Sequence, residues 1–506
     1  MKLNREHYLI FSLMLLKLVI HLLTMHTYEL QRDAYLYYTL GENLDWGFVS
    51  VPPLIGVVSK ASTSLFGNTI FALRIFPALI GSLSVWLIAK FVKELKGSTL
   101  AVFIACLAFI LSPAFLRSNA LFQPVSFNQF FWLLSFYFLL KMIRHQDPKY
   151  WIWLMVTWGF AFQNKYSITF VIFATLLGLL MTKHRKLYWS RYFLIGGSIG
   201  VLIILPNLIW QYTHHWPVVS HMTELAENQL ANVTLSGFLI DQIVMNFPGL
   251  VVWFTGLLFL LFNKKHRDYL VFGVIYLITI FVLILTSGKS YYTLGLYSML
   301  FAFGGLAIDL YFKKYLKYAV LAIMILLLIP MLPLSLPLLS LEKMEEFSKP
   351  MAPIVNRWED GNVHNIPQDY ADMTGWEELS EIVINQYLSL PDSIRKDCMI
   401  YAENYGMAGA VNFHGKKKGL PQPISFNDSF ILWAPDSAKN VPMIYVNHEI
   451  GDIDKLYDSV KLVGAVNNPY FRENGLQVYY CTQPTDVLMP FYADKVSELK
   501  SRYRRK

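Results

Sequence analysis

The 506-residue chain is 55% hydrophobic and only 15% charged, whereas a soluble globular domain usually carries about 25% charged residues. This deficit, together with long apolar runs, excludes an ordinary soluble domain and predicts surface that faces lipid. The net charge of +8 is high enough to raise the question of nucleic-acid binding. The cations lie mostly in short loops between apolar runs, where they indicate membrane topology, so we predict no nucleic-acid partner.

Eleven apolar runs are predicted to cross the membrane as helices, because each approaches the roughly 17–25 residues that a span requires. The first run has no small-residue cleavage site, so it is predicted to be a retained helix and not a removed signal peptide. The predicted fold class is a mainly α, polytopic membrane protein. The candidate spans are residues 7–25, 70–90, 98–114, 124–142, 150–163, 166–182, 192–210, 246–262, 268–286, 293–311 and 318–337.

The distribution of cations predicts the orientation, because cytoplasmic loops are rich in lysine and arginine. With the N-terminus in the cytoplasm, the cytoplasmic segments hold eighteen cations and the outward side of the membrane domain holds six. The six outward cations are Arg32, Lys60, Arg74, Arg117, Lys165 and Lys289. An odd number of spans then places the tail outside the cytoplasm.

The composition changes after the last span, which three prolines end between residues 330 and 337. Residues 1–338 are therefore predicted to form a transmembrane domain, and residues 339–506 a soluble extracytoplasmic α/β domain. A helix is predicted over Trp376–Leu388. The predicted strands are Met399–Ala402, Phe430–Ala434, Met443–Val446, Lys461–Val466 and Leu476–Cys481.

The three cysteines do not form a metal-binding pattern. Cys106 lies in an apolar run and is interpreted as inert filler. Cys398 and Cys481 both fall in the tail, where they either form a disulfide or remain two separate buried thiols.

Two predicted outward loops, residues 26–69 and 211–245, are too long to be simple connectors, and long loops are usually functional or disordered. The first is rich in aromatic residues and has an apolar stretch at Leu54–Phe66. It is predicted to form two short helices along the membrane interface, joined by a turn at Gly47 and Pro52-Pro53.

Two of the outward lysines lie in tight turns beside polar groups. Lys165 follows Gln163-Asn164, and Lys289 precedes Ser290, Tyr291 and Tyr292. Amide and hydroxyl donors beside fixed lysines suit a lipid phosphate at the outer leaflet. The alternative for each outward cation is snorkelling to headgroups or pairing with a nearby acid.

Asp33 is the candidate acid of the first loop. A carboxylate there could take a proton from an acceptor hydroxyl or amine as a general base. The alternative is that Asp33 caps the predicted interfacial helix Ala34–Leu44.

With these residues in view, the chain resembles the bacterial GT-C glycosyltransferases of the protein-mannosyltransferase-like family, which includes the lipid A aminoarabinose transferases. The motifs span nearly the whole chain, and their order and topology carry the resemblance. They are Arg32-Asp33-Ala34-Tyr35-Leu36-Tyr37-Tyr38, Leu44-Asp45-Trp46-Gly47-Phe48, Pro52-Pro53-Leu54, Phe122-Gln123-Pro124-Val125-Ser126-Phe127, Asn164-Lys165-Tyr166-Ser167, Pro206-Asn207-Leu208-Ile209-Trp210-Gln211, His221-Met222, Glu224-Leu225, Gly288-Lys289-Ser290-Tyr291-Tyr292, Ala371-Asp372-Met373-Thr374-Gly375-Trp376-Glu377 and Glu403-Asn404-Tyr405-Gly406.

The resemblance implies transfer of a sugar from a polyprenyl-phosphate-linked donor to a lipid, glycan or protein acceptor at the outer face of the bacterial inner membrane. Asp33 matches the family's base. The expected phosphate-binding residues are Lys165, Lys289, Tyr291, Tyr292 and Arg74, and the weaker acceptor or sugar candidates are Asp45, His221 and Glu224. No cofactor or metal is required, although a divalent cation held by outer-loop acids remains an alternative.

The sequence departs from the family pattern at two places. Ala34 stands where relatives commonly have a second acid, and Ser50-Val51 precede the double proline where they tend to have Asp, Glu or His. Either Asp45 supplies a second carboxylate or Asp33 acts alone. These departures leave open a member that binds lipid-linked saccharides without turning them over. A transporter or flippase for such saccharides and a scaffolding membrane protein are the two competing hypotheses.

Overall fold

The computed structural model describes residues 5–503, and helices dominate it. The helices of ten or more residues are Arg5–Thr24, Arg32–Glu42, Leu54–Phe66, Ile70–Glu94, Thr99–Ile110, Pro124–His145, Tyr150–Asn164, Ile168–Leu180, Arg191–Thr213, Pro217–Asn228, Leu235–Val244, Leu250–Phe262, Leu270–Leu285, Leu294–Tyr311, Lys314–Leu328, Trp376–Ser389, Tyr405–Gly415 and Leu488–Ser501. The shorter α-helices are Pro113–Ala120, Leu332–Ser335, Leu341–Ser348, Ala352–Val355, Gln368–Ala371, Asp392–Arg395, Phe430–Trp433 and Ile453–Leu456.

Each of the eleven predicted spans coincides with a helix, but fewer of these helices are long and apolar enough to cross a membrane. In the part of the chain that the structure describes, six pass that test, or seven if the pair Thr99–Ile110 and Pro113–Ala120, bent by 62°, counts as one span. Others are short: Ile168–Leu180 and Leu250–Phe262 have 13 residues each, or about 20 Å at 1.5 Å per residue. The count of eleven is therefore not confirmed.

The chain divides into two compact units. The first contains residues up to Met25, Arg74–Asn207 and Leu225–Leu338. The second contains His26–Leu73, Leu208–Glu224 and the tail from Leu339 onward. The first predicted outer loop is thus grouped with the tail.

The Leu294–Tyr311 helix lies at the centre of the first unit, and every residue from Leu294 to Ile308 is buried. Its backbone packs directly against the Leu250–Phe262 helix. Gly304 permits this close approach, because a Cβ at that position would collide with the carbonyl oxygen of Val252. The short turn Ser290–Thr293 follows Lys289 and leads into this central helix.

The Arg32–Glu42 helix is the core helix of the second unit. Eight consecutive residues, Ala34 to Gly41, are buried, so the helix lacks the open polar face of a helix lying on a membrane surface. Both predicted helices of the loop form; their position along the membrane interface stays a prediction, but the burial of this helix within the protein was not predicted. The aromatic ring of Phe413, on the Tyr405–Gly415 helix, packs edge-on against Tyr35 and Tyr38.

The tail contains one four-stranded sheet in the order β1-β2-β4-β3. Its strands are β1 (Met399–Ala402), β2 (Met443–Asn447), β3 (Tyr457–Ala465) and β4 (Gln477–Pro484). β1 and β2 are parallel, and the other two pairs are antiparallel. The Trp376–Ser389 helix forms as expected.

The predicted strand Phe430–Ala434 is wrong, because Phe430–Trp433 forms a helical turn. Asp428, two residues before Phe430, has a positive φ of 49°. Its carboxylate accepts hydrogen bonds from the backbone N–H and the hydroxyl of Ser429. Consecutive Phe430 and Ile431 are then both buried, whereas alternate burial would be needed for a half-buried strand.

Candidate functional site

Asp33 occupies the first turn of the Arg32–Glu42 helix. Gln31 is the N-cap residue, and its side-chain oxygen accepts the Asp33 N–H at 2.9 Å. The alternative that Asp33 caps the helix is therefore wrong. One carboxylate oxygen of Asp33 accepts a hydrogen bond of 2.8 Å from the hydroxyl of Tyr405.

Tyr405 and Arg32 define the surroundings of this carboxylate. Burial and the neighbouring Asp33 hold the pKa of the Tyr405 phenol well above its usual value, so the hydroxyl stays protonated and donates. The Arg32 guanidinium lies 4.5 Å from the centre of the Tyr405 ring, within the range of a cation–π contact. The position of Asp33 is thus set by a residue of the tail.

Glu473, an acid of the tail, lies beside Arg32. A guanidinium nitrogen of Arg32 lies 4.0 Å from Glu473 Oε1, to which the amide of Asn404 also donates at 3.3 Å. His448 Nε2 lies 2.9 Å from the other oxygen, Glu473 Oε2. We call Arg32, Asp33, Tyr405 and Glu473 the Asp33 cluster.

Asp372 connects the start of the same helix to the tail. Its backbone carbonyl accepts the Arg32 N–H at 3.0 Å. Its buried carboxylate accepts hydrogen bonds from the guanidinium of Arg472 at 3.1 Å and from the amide of Gln31 at 3.2 Å. Because Gln31 caps the helix, this buried acid orients the turn that carries Asp33.

Glu29 caps the N-terminus of the Trp376–Ser389 helix from a distant position in the chain. Its carboxylate accepts the backbone N–H groups of Gly375, Trp376 and Glu377 at 3.0, 2.8 and 2.9 Å. A helix N-terminus favours a negative charge. Burial nevertheless raises the pKa of the Glu29 carboxyl from 4.5 to about 7, although the three donors oppose that shift.

The raised pKa of Glu29 predicts that stability falls as the pH rises. A carboxyl whose folded pKa exceeds its unfolded pKa stabilises the fold below about 4.5, and this contribution is lost as the pH passes about 7. We expect the free energy of unfolding to fall by about 1–2 kcal/mol over this range, because partial solvent access reduces the effect of burial. Scanning fluorimetry of the full chain should give a lower melting temperature at about pH 8.5 than at about pH 5.5. Glu29→Gln should flatten this dependence, and an unchanged slope in that variant would contradict the assignment.

The two candidate phosphate lysines both lie in the first unit, next to the Tyr291-Tyr292 pair. Lys165 follows the Tyr150–Asn164 helix, and its ammonium lies 5.4 Å from the centre of the Tyr292 ring. Lys289 precedes the turn that carries both tyrosines, whose rings pack edge-on at 4.8 Å. The structure thus brings four of the five predicted phosphate-binding residues to one place.

Gln229 and Asp241 belong to this lysine site and were not predicted. Gln229 Oε1 accepts a hydrogen bond of 2.5 Å from Lys289. Asp241 accepts one of 2.6 Å from the Ser290 hydroxyl, on the residue after Lys289. Asp241 is the one acid in the otherwise mostly apolar Leu235–Val244 helix. This lone acid was the feature of the sequence that could have indicated a polar site here.

Comparisons with known proteins show three kinds of similarity: to a family model, to a protein sequence and to a solved structure. The family model of dolichyl-phosphate-mannose-protein mannosyltransferases matches residues 50–210. Lipid A galacturonosyltransferase RgtD of Rhizobium johnstonii is 26% identical over 200 residues, which are 38% of this chain and 41% of that protein. The match thus covers less than half of the relative's length. The fold is that of ArnT from Cupriavidus metallidurans bound to undecaprenyl phosphate, at 13% identity and a TM-score of 0.64, over 94% of this chain and 98% of that one.

The chain therefore has an ArnT-like fold, and its residues 50–210 resemble the mannosyltransferase family. The apo form of the same ArnT gives a TM-score of 0.60 over the same shares of both chains. The resemblance predicted from the sequence motifs is confirmed. With its long apolar helices and its ArnT-like fold, the protein is an integral membrane protein.

Arg74, the fifth candidate phosphate ligand, is a buried residue, and its role as a phosphate ligand stays a prediction. Only 3% of the surface of this residue is exposed. One guanidinium nitrogen donates to the carbonyl oxygen of Met25, just after the first helix. Part of the hydrogen-bonding capacity of Arg74 therefore fixes that helix end.

Asp45 makes contacts that hold the first loop in place. Its Oδ2 accepts the indole N–H of Trp210 at 2.8 Å, and its Oδ1 accepts the backbone N–H of Trp46 at 2.7 Å. The Trp210 ring in turn stacks on His214 at 4.0 Å. His221 is half-buried and Glu224 exposed on the Pro217–Asn228 helix; both stay predictions as acceptor residues.

The cysteines are all free thiols, so the alternative of two separate buried thiols is confirmed for Cys398 and Cys481. Cys481 lies on β4, and Cys398 precedes β1, with β2 between those strands. Two strand spacings, about 9–10 Å, exceed the reach of a disulfide. Over residues 5–503, no three His, Cys, Asp or Glu side chains group closely enough to hold a metal ion; the question of a cation stays open.

Proposed function

We propose that the protein is a membrane glycosyltransferase that moves a sugar from a polyprenyl-phosphate-linked donor to a lipid, glycan or protein acceptor at the outer face of the bacterial inner membrane. The observation that supports this proposal most strongly is the carboxylate of Asp33, held at 2.8 Å by the Tyr405 hydroxyl. The similar proteins also support it, because one is a lipid A galacturonosyltransferase and another is an ArnT bound to undecaprenyl phosphate.

In the proposed reaction Asp33 acts as the general base. It takes the proton of the acceptor hydroxyl or amine while the acceptor atom forms a bond to the anomeric carbon of the sugar. The bond between that carbon and the phosphate oxygen breaks, and polyprenyl phosphate leaves with the electron pair. Lys165 and Lys289 stabilise the charge that develops on this phosphate. Tyr405 positions the base.

The second acid of the family pattern has no counterpart at Ala34. Tail acids lie near Asp33 instead: Glu473 is 4.0 Å from Arg32, and Asp372 binds the capping residue Gln31 at 3.2 Å. We propose that these acids set the charge and orientation of the Asp33 cluster, whereas Asp45 supports the loop through Trp210.

We further propose eleven spans, a cytoplasmic N-terminus and an extracytoplasmic tail, since lysine and arginine collect in alternate loops. The native cysteines are buried, so they should react little with a thiol reagent. Exposed engineered cysteines can therefore show on which side of the membrane a segment lies. Ser389→Cys, at the exposed end of a tail helix, should react with an impermeant maleimide in intact spheroplasts. Lys186→Cys, in an exposed connection predicted to be cytoplasmic, should react only after permeabilisation. The reverse pattern would overturn the orientation.

The activity is tested with membranes that contain the protein and a panel of radiolabelled polyprenyl-phosphate sugars. We expect label to appear in an acceptor fraction with at least one donor, and the same membranes without the protein serve as the control. Donor binding without transfer would instead favour a non-catalytic binder, the alternative that Ala34 and Ser50-Val51 suggest.

A further inference from the structure

The tail has a cavity of about 440 Å³ that the proposed transfer reaction does not use. It lies between one face of the sheet and the Leu488–Ser501 helix. Met399, Tyr401, Met443 and Tyr445 line it from alternate positions of β1 and β2, as expected for side chains on one sheet face. Its size falls in the range of small-molecule sites, roughly 300–1,000 Å³.

Aromatic rings form much of the wall of this cavity. Tyr401 and Tyr445 stack with ring centres 5.9 Å apart and planes at 22°. Phe426 packs edge-on against Tyr401 at 5.2 Å and lies 5.4 Å from Tyr492 of the helix. Such ring faces carry partial negative charge, so they attract the C–H groups that cover one face of a sugar ring.

Hydrogen-bonding side chains are distributed among these rings. Glu403, Asn427 and Asn447 line the cavity from the sheet side, and Lys495 lines it from the helix. Tyr492 is 93% buried, since 7% is exposed, and among the described residues its hydroxyl has no hydrogen-bond partner. A buried hydroxyl of this kind calls for a partner from water or a ligand.

The mixture of groups selects one class of ligand. A lipid chain would bury Glu403 and Asn447 against methylene groups, which costs free energy because their hydrogen bonds to water are lost. An anion would meet the carboxylates of Glu403 and Asp452, against a single cation at Lys495. A neutral polyhydroxylated ring satisfies the carboxylate, the amides and the aromatic faces together.

We infer that this cavity is a second saccharide site, which binds an uncharged sugar residue between the aromatic face of the sheet and the C-terminal helix. The ring stacks on Tyr401 or Tyr445. Its hydroxyls donate to Glu403 and bond to Tyr492. This binding needs no proton transfer at Asp33 and is separate from the transfer step.

The test uses the full-length protein in lauryldimethylamine oxide, a detergent without a sugar headgroup. The probes are methyl glycosides of neutral hexoses and N-acetylhexosamines, followed by saturation-transfer NMR and titration. We expect at least one probe to bind with a dissociation constant on the order of millimolar. Glu403→Gln and Tyr492→Phe should each weaken it about 3–10-fold, the value of one or two lost hydrogen bonds.

Matched controls separate this site from general damage and from the Asp33 cluster. Asp458→Asn changes an exposed carboxyl on β3, and Tyr480→Phe changes a tyrosine on β4 that does not line the cavity. Asp33→Asn tests the other site. All three should leave probe affinity unchanged. Binding of no probe, wild-type affinity in both cavity variants, or loss of binding in Asp33→Asn would each overturn the inference, whatever the result of the transfer assay.

Discussion

Replacing Asp33 by Asn is expected to lower the rate of sugar transfer about 10²–10⁴-fold, the usual contribution of a general base. The amide still accepts the 2.8 Å hydrogen bond from Tyr405, so the helix and its tail contacts should persist. The loss should therefore appear in kcat with normal amounts of folded protein. The measurement is transfer of label from a polyprenyl-phosphate sugar in membranes, normalised to protein.

Asp45→Asn is the matched control for this prediction. Asp45 lies in the same loop, and an amide oxygen can still accept the indole N–H of Trp210 or the backbone N–H of Trp46. We expect a loss of less than about tenfold, the effect of one weakened hydrogen bond. If Asp45→Asn abolished transfer and Asp33→Asn did not, the two residues would exchange roles.

Lys289→Ala is expected to raise the apparent KM for the donor about 10–100-fold. A hydrogen bond to a charged partner contributes about 1.5–3 kcal/mol, and about 1.4 kcal/mol corresponds to a factor of ten. In the structure the Lys289 ammonium donates to Gln229 at 2.5 Å, which holds it in the turn before Tyr291 and Tyr292. The measurement is the initial rate of transfer over a range of donor concentrations.

Lys60→Ala supplies the control for the lysine prediction. Lys60 is another cation predicted to face outward, but it is exposed and forms an ion pair of 3.3 Å with Glu42. Removing it should leave the donor KM unchanged, because exposed ion pairs contribute little. Equal effects of the two substitutions, or a loss in Lys289→Ala that merely follows the amount of folded protein, would exclude Lys289 as a phosphate ligand.

The sequence predicted those features that depend on local pattern. Apolar runs gave the positions of the long helices, and the breaks at Gly47 and Pro52-Pro53 separated the helices Arg32–Glu42 and Leu54–Phe66. The short spacing from Lys289 to Tyr292 placed those residues in one turn. The pattern failed at Phe430–Trp433, where an apolar run of strand length is a helical turn started by Asp428.

The sequence could not predict contacts between distant parts of the chain. Tyr405 is 372 positions from Asp33, and Glu29 is 346 positions from Gly375. Such pairs depend on how the tail folds around the first loop, which no local periodicity records. For the same reason the buried position of the Arg32–Glu42 helix was missed: its aromatic residues, typical of an interface, pack instead on Phe413.

The central claim is that the protein breaks the bond between sugar and polyprenyl phosphate, and the most direct test is in right-side-out vesicles that contain it. A polyprenyl-phosphate donor labelled in its sugar is supplied in the outer leaflet together with envelope acceptors. We expect label to leave the donor and join an acceptor while polyprenyl phosphate accumulates in equal amount, and we expect Asp33→Asn vesicles to do neither. Movement of intact donor between the leaflets, with its sugar still attached and no acceptor labelled, would contradict the account.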